Sequence, residues 1–282
     1  MGTVRVISDS TCDLSSELIE RHGIAIVPLY VVFGEKSYRD GIDISTEELY
    51  GKVEETNTLP KTSAPSPLDF QRIFKKYTDN GEDIIYIGLS SGISVTLQNA
   101  AIAAQEFPEG KIEIVDSQNL STGIGLLVMK AVDYAGDGMN VREIAAKIRE
   151  LAPRVRTRFI INTLDYLHKG GRCTALESFI GGLLNIRPVV SVRDGKMFLE
   201  DKIRGRREKA RSNMLENVLA DKDSIMRERV FITHSMDSEE AELLKGILQK
   251  EIKGAEIIVT DAGCVISSHC GPKTVGVLYI RK

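Results

Sequence analysis

Apolar, β-branched runs alternate with helical patterns through the first half of the chain. Val4 to Ile7 reads as a strand, Asp13 to Arg21 as a helix closed by Gly23, and Ile24 to Phe33 as a long strand interrupted by Pro28. Ser45 and Glu48 form a capping box ahead of Leu49 and Val53. Ser66, Pro67 and Asp69 supply cap, first-turn proline and first-turn acid to a helix through Tyr77. The continuous apolar run Ile84 to Leu89 ends in Ser90-Ser91-Gly92-Ile93-Ser94, and good helix formers follow from Thr96 to Glu106. This pattern is a buried strand delivering hydroxyls to a helix start, where unpaired backbone N–H groups favour an anion. A strand at Ile112 to Val115, a helix from Asn119 to Ala135 and another from Val141 to Ala152, begun at Asn140, complete this half. Such alternation predicts an α/β fold with a mostly parallel sheet covered by helices on both faces.

The second half follows a different pattern. Arg158 to Ile161 is a strand, and Thr174 and Glu177 box a helix through Leu184. Val189 to Val192 pairs with Lys196 to Leu199 across Asp194-Gly195 as a hairpin. A basic helix at Arg206 to Leu219 precedes the strand Val230 to His234, the helix Ser238 to Glu251, the strand Glu256 to Thr260 and a last strand Thr274 to Ile280. The expected result is a second α/β domain with a mixed or antiparallel sheet. A length of 282 residues, 42% of them hydrophobic, supports two cores. The boundary is placed at Pro153, giving domains 1–153 and 154–282 with a ligand site near their interface.

Charge and cysteine usage narrow the function classes. A formal net charge of −3 provides no general attraction to nucleic acid or anionic membranes. Cys12, Cys173, Cys264 and Cys270 are scattered, so neither a metal site nor a disulfide framework is indicated, and a cytoplasmic location is expected. Neither a signal peptide nor a membrane span is visible in the pattern.

Four segments carry candidate chemistry. Ser94 sits where a helix begins and is the hydroxyl expected to face a ligand, although a plain helix cap has the same appearance. In Lys61-Thr62-Ser63-Ala64-Pro65-Ser66-Pro67 two prolines stiffen the backbone and hold the Thr62 and Ser63 hydroxyls rigidly. His269-Cys270-Gly271-Pro272-Lys273 resembles a Cys/His pair, but neighbours on an extended segment point apart, so Cys270 is not expected to be activated. The cations from Lys202 to Arg211 form either a solvated face or a docking surface. Gly88-Leu89-Ser90-Ser91-Gly92 formally matches the G-x-S-x-G elbow of hydrolases, which makes Ser90 a rival nucleophile with His234 or His269 as base.

Six segments in order resemble the DegV family of fatty-acid-binding proteins: Ile7-Ser8-Asp9-Ser10-Thr11-Cys12-Asp13-Leu14, Thr62 to Pro67, Leu89 to Ser94, Val115-Asp116-Ser117, Leu164 to Arg172 and His269 to Pro272. The resemblance spans essentially the whole chain. It implies a two-domain protein that holds one long-chain fatty acid, such as palmitate, in an apolar tunnel and needs no cofactor. The carboxylate would be bound by Thr62 and Ser94 with His269 nearby, and Ser63 and Gly271 beside them. Bacterial members act as the non-catalytic acyl-carrier subunit of a fatty acid kinase, and Arg172 and Arg204 match family arginines assigned to kinase docking or to the site's mouth.

This implied chemistry is physically consistent. A carboxylate entering an apolar site needs hydrogen bonds, and hydroxyls at a helix start supply them. At about 0.8 kcal/mol per buried methylene, a long chain gains on the order of 10 kcal/mol before ordering costs, so the head group mainly sets orientation. Phe179, Ile180, Leu183, Leu184 and Ile186 are expected tunnel walls. Two positions depart from the family pattern, Val95 after Ser94 and Lys273 where glycine is usual.

Overall fold

A computed structural model describes residues 3–171 and 186–282. In chain order the strands are β1 (Val4–Asp9), β2 (Ala25–Val27), β3 (Tyr30–Phe33), β4 (Lys36–Arg39), β5 (Lys61–Ser63), β6 (Asp83–Gly88), β7 (Ile112–Asp116), β8 (Val155–Ile160), β9 (Ile186–Arg193), β10 (Lys196–Arg204), β11 (Ile225–Ser235), β12 (Ile257–Asp261) and β13 (Thr274–Arg281). The helices are α1 (Ser16–His22), α2 (Thr46–Thr56), α3 (Pro67–Thr78), α4 (Thr96–Ala104), α5 (Thr122–Gly136), α6 (Val141–Leu151), α7 (Asp165–Lys169), α8 (Arg207–Leu219), α9 (Ser238–Glu251) and α10 (Cys264–Cys270). The helix expected from Thr174 to Leu184 lies outside the described residues, as do Arg172 and the proposed walls Phe179, Ile180, Leu183 and Leu184.

The strands before Pro153 form a parallel sheet of order β2-β1-β6-β7, as the alternation predicts. Both its faces are buried, which explains the unbroken apolar run at β6. Ile84 and Tyr86 pack with Phe70, Phe74 and Ala100 of α3 and α4, while Ile85 and Ile87 face Leu127, Ile144 and Ile148 of α5 and α6. The strands after Pro153 form a mixed sheet of order β10-β9-β8-β13-β11-β12, in which only β11 and β12 pair in parallel. Its Asp194-Gly195 hairpin has the expected turn, with φ of 48° and 73° at the two central residues.

Helix α5 joins the two sheets. It contacts β1 and β6 on one side and β8, β11 and β13 on the other, and Thr122 to Met129 is buried without interruption. A helix between two apolar faces must be apolar all round, as its Ile124-Gly125-Leu126-Leu127-Val128-Met129 is. One continuous core therefore runs from Val6 and Ile87 through α5 to Phe231, Leu278 and Ile280.

Three sequence expectations are corrected. Ile24 to Phe33 is two strands rather than one, because the chain turns at Pro28: β2 joins the parallel sheet, whereas β3 pairs with β4 and β5 in a small antiparallel sheet. Helix α5 begins at Thr122 instead of Asn119, since Ser121 before it has φ 53° and ψ −147°, outside helical space. The His269-Cys270 segment is the last turn of α10, not extended chain.

Candidate functional site

The carboxyl ends of the parallel strands face the inner surface of the mixed sheet across an apolar cavity. It encloses about 890 Å³ of empty space, part of it open to solvent. Leu89, Ile93 and Leu120 line it from the parallel side, and Phe159, Leu167 and Met197 from the other. In the parallel sheet the chain runs to opposite sides of β1 for β2 and β6, so the cavity lies beyond the strand ends at a topological switch point.

Thr62, Ser63, Ser94 and His269 all line this one cavity. Thr62 is placed by β5, whose ladder sets it opposite Val31. His269 is carried by α10, and its Nε2 lies 2.8 Å from the Thr62 hydroxyl. Ser94 precedes α4, where Val95 rather than Ser94 is the capping residue. The Ser94 hydroxyl accepts from the Thr96 N–H at 3.3 Å and lies 2.8 Å from the Thr96 hydroxyl. The amide of Asn99 donates to the Pro65 carbonyl at 2.8 Å, tying α4 to the proline segment that carries Thr62. Gly271 is not among the lining residues. It has φ 76° and faces the Tyr166 ring, which a Cβ there would meet at 2.7 Å. Gly170 abuts the His269 ring so closely that a Cβ would overlap its Nδ1. Arg204 ends β10, exposed and away from the lining.

Other hydroxyls in the wall are engaged within the protein. Thr157 donates to Asn119 Oδ1 at 2.7 Å, Thr274 to the Cys270 carbonyl at 2.9 Å and Ser121 to Asp13 at 2.6 Å. Ser235 lies 2.6 Å from the Tyr50 hydroxyl and 2.8 Å from that of Ser267. The wall is therefore less polar than its residue names suggest.

Three buried acids, which the sequence reading did not single out, fasten this region. Asp9 accepts from the Leu89 N–H at 2.9 Å and from the Tyr86 hydroxyl at 2.7 Å, joining the ends of β1 and β6. Asp13 accepts from the Gly263 N–H at 2.9 Å, and Asp40 from the Cys264 N–H at 2.7 Å, so both hold the start of α10. Burial pushes all three carboxyls up from their ordinary values. The acids of Ser8-Asp9-Ser10-Thr11-Cys12-Asp13 were the available signal.

The hydrolase reading is overturned by the surroundings of Ser90. Its side chain is 1% exposed and donates to the Gly195 carbonyl at 2.8 Å. Neither candidate base hydrogen-bonds to it: His269 faces Thr62, and His234 Nδ1 lies 3.5 Å from Asp261. A Cβ at Gly92 would meet the Gly195 carbonyl oxygen at 2.7 Å, so the second glycine of the pentad makes room for the hairpin. Burial also pushes the Cys270 thiol up to about 12, which leaves no thiolate nucleophile there.

Comparison with known proteins agrees with this architecture. The family model described as "Uncharacterised protein, DegV family" matches residues 3–282. A DegV domain-containing protein of Caldanaerobacter subterraneus subsp. tengcongensis is 34% identical over 284 residues, covering all of both chains. A DegV family protein from Thermus thermophilus, whose structure is described by its fatty acid binding, superposes with a TM-score of 0.93 at 33% identity, over 99% of this chain and all of that one. DegV of Bacillus subtilis, a fatty acid binding protein, superposes with a TM-score of 0.91 at 29% identity over the whole of both chains. Matched by the family model over residues 3–282 and by a full-length relative at 34% identity, this chain belongs to the DegV family.

Proposed function

We propose that this chain binds one long-chain fatty acid, its acyl chain in the apolar cavity and its carboxylate at Thr62, Ser94 and His269. The observation that carries the reading is the Thr62–His269 contact at the wall of an otherwise apolar space. With Nε2–H of His269 donating to Thr62 Oγ1, the Thr62 proton is directed to a carboxylate oxygen. Ser94, accepting from Thr96, directs its own proton to the second. Chain burial supplies the affinity and these hydroxyls set the direction of insertion. Relatives of the same fold that bind fatty acids support the assignment.

The chain acts as a carrier and not as an enzyme on its own. A separate kinase transfers the γ-phosphoryl group of ATP to a carboxylate oxygen, giving acyl phosphate and ADP, with Arg172 and Arg204 in its docking surface. The sequence itself has no G-x-x-x-x-G-K-[ST] phosphate loop. The carrier works in the cytoplasm as a two-domain unit divided at Pro153.

Native mass spectrometry of the purified protein tests the binding step. A mass increment equal to one fatty acid is expected. An empty chain that also refuses added palmitate overturns the reading. For the kinase step, the loaded chain mixed with a bacterial fatty acid kinase and ATP is expected to yield acyl phosphate, trapped as the hydroxamate.

A further inference from the structure

Behind the apolar cavity, the start of β8 and the turn end of the β9–β10 hairpin enclose a second cleft of different character. It holds about 890 Å³ of empty space, solvent at its mouth included, and shares Thr157 with the first lining. Arg156, Arg158 and Arg193 line it, with Ser191, Asp194 and Glu200.

These guanidinium groups are unequally compensated. Arg158 donates to Glu200 at 3.0 Å and to the Tyr279 hydroxyl at 2.7 Å. Arg193 draws on the same carboxylate, donating to Glu200 Oε1 at 2.9 Å, while Asp221 lies 3.7 Å from Arg158 and 3.6 Å from Arg281, so each of these two acids is shared between two cations. Arg156 has no ion pair among the described residues. Its Nη1 donates to the carbonyls of Pro153 at 2.9 Å and Val155 at 3.1 Å, while Nε and Nη2 have no partner among the described residues. Burial, and then the nearby Arg281, hold the Arg156 pKa below its ordinary value. Ser191 stands opposite Arg158 on the ladder, 4% exposed, and its hydroxyl also lacks a partner among the described residues.

We propose that this cleft binds a phosphate-type oxyanion, with Arg156 and Arg193 as its ligands. Planar guanidinium groups match tetrahedral oxyanions through paired N–H donors, and an incoming anion supplies Arg156 with the counter-charge that Glu200 and Asp221 give to its neighbours. The site does not depend on what occupies the apolar cavity, so it stands or falls separately from fatty-acid binding.

Titration of the full chain with inorganic phosphate, followed by ³¹P line broadening at constant ionic strength, tests the site. Saturable binding is expected in the wild type. Arg156→Gln should weaken it by about tenfold or more, and Arg156→Lys, which keeps the charge but loses the fork, by less. Both variants should retain bound fatty acid to the wild-type extent, which also reports that they fold. The proposal is overturned by an absence of saturable phosphate binding to the wild type. Equal affinity in wild type and the folded Arg156 variants overturns it as well.

Discussion

The Ser90 hydroxyl donates to the carbonyl of Gly195 at 2.8 Å, fixing the tip of a hairpin 105 residues further along the chain onto the end of the central parallel strand. The contact is close on both sides. Gly195 has φ 73°, and a Cβ there would crowd the Ser90 hydroxyl at 2.5 Å. Ser90→Ala should therefore lower stability by about 1 kcal/mol in a urea melt, the usual net worth of one buried hydrogen bond. It should leave fatty-acid content unchanged, and a covalent serine probe should fail to label the wild type. Gly195→Ala should cost more, since it adds left-handed strain to the clash. Equal losses in the two variants would show that the interlock is not tight.

At the cavity the discriminating residue is Thr62, because its hydroxyl is the one in contact with His269. Thr62→Val keeps the shape of the side chain and removes the hydroxyl. Displacement of a fluorescent fatty acid should show affinity falling roughly 5- to 100-fold, corresponding to about 1–3 kcal/mol for hydrogen bonds to a charged group. Ser94→Ala should act in the same direction, and the double variant should still give a wild-type circular dichroism spectrum. A fatty alcohol, lacking the charge, should lose much less affinity than the acid on Thr62→Val. If acid and alcohol respond alike, Thr62 serves packing and not the head group.

How far the sequence could be read depended on whether the stabilising partner was local. The capping boxes at Ser45 and Ser66 formed as expected, because cap and acid are three residues apart. Helix α10 was missed. Its Cys264-Val265-Ile266-Ser267-Ser268 has weak helix propensity, and its first N–H groups are satisfied by Asp13 and Asp40 from the other end of the chain. Strand β5, a polar Lys61-Thr62-Ser63, exists through pairing with β3 and has no pattern of its own. The cavity's hydroxyls were legible as candidates, whereas the assembly of Thr62 against His269 depends on both missed elements.

The buried acids make stability depend on pH in a definite direction. Burial raises Asp13 well above its ordinary 3.8, so folding favours its neutral form. Its contribution is complete below that ordinary value and is lost as pH rises through the folded value. Asp13→Asn does not titrate and retains an acceptor for Gly263. The stability of the wild type minus that of Asp13→Asn should therefore fall as pH rises above the ordinary carboxylate value of 3.8 in urea melts. A difference that rises with pH would mean that Asp13 is stabilised as the anion by its partners Ser121 and Gly263.

At Lys273 the resemblance to the DegV family leads one to expect glycine, and the backbone there suits one. It has φ 59°, in the left-handed region that disfavours a side chain. The turn is constrained on both sides: the Lys273 N–H donates to the Ser235 carbonyl at 2.8 Å, and its own carbonyl accepts from Arg207 at 2.6 Å. The lysine side chain is exposed and is not among the residues lining the cavity. Lys273→Gly removes the left-handed strain but adds freedom to the unfolded chain, so the net gain should be about 1 kcal/mol or less. A small rise in the urea midpoint with unaltered fatty-acid affinity is the expected outcome. Reduced affinity instead would place the lysine cation within reach of the bound carboxylate and give this departure from the family pattern a role in binding.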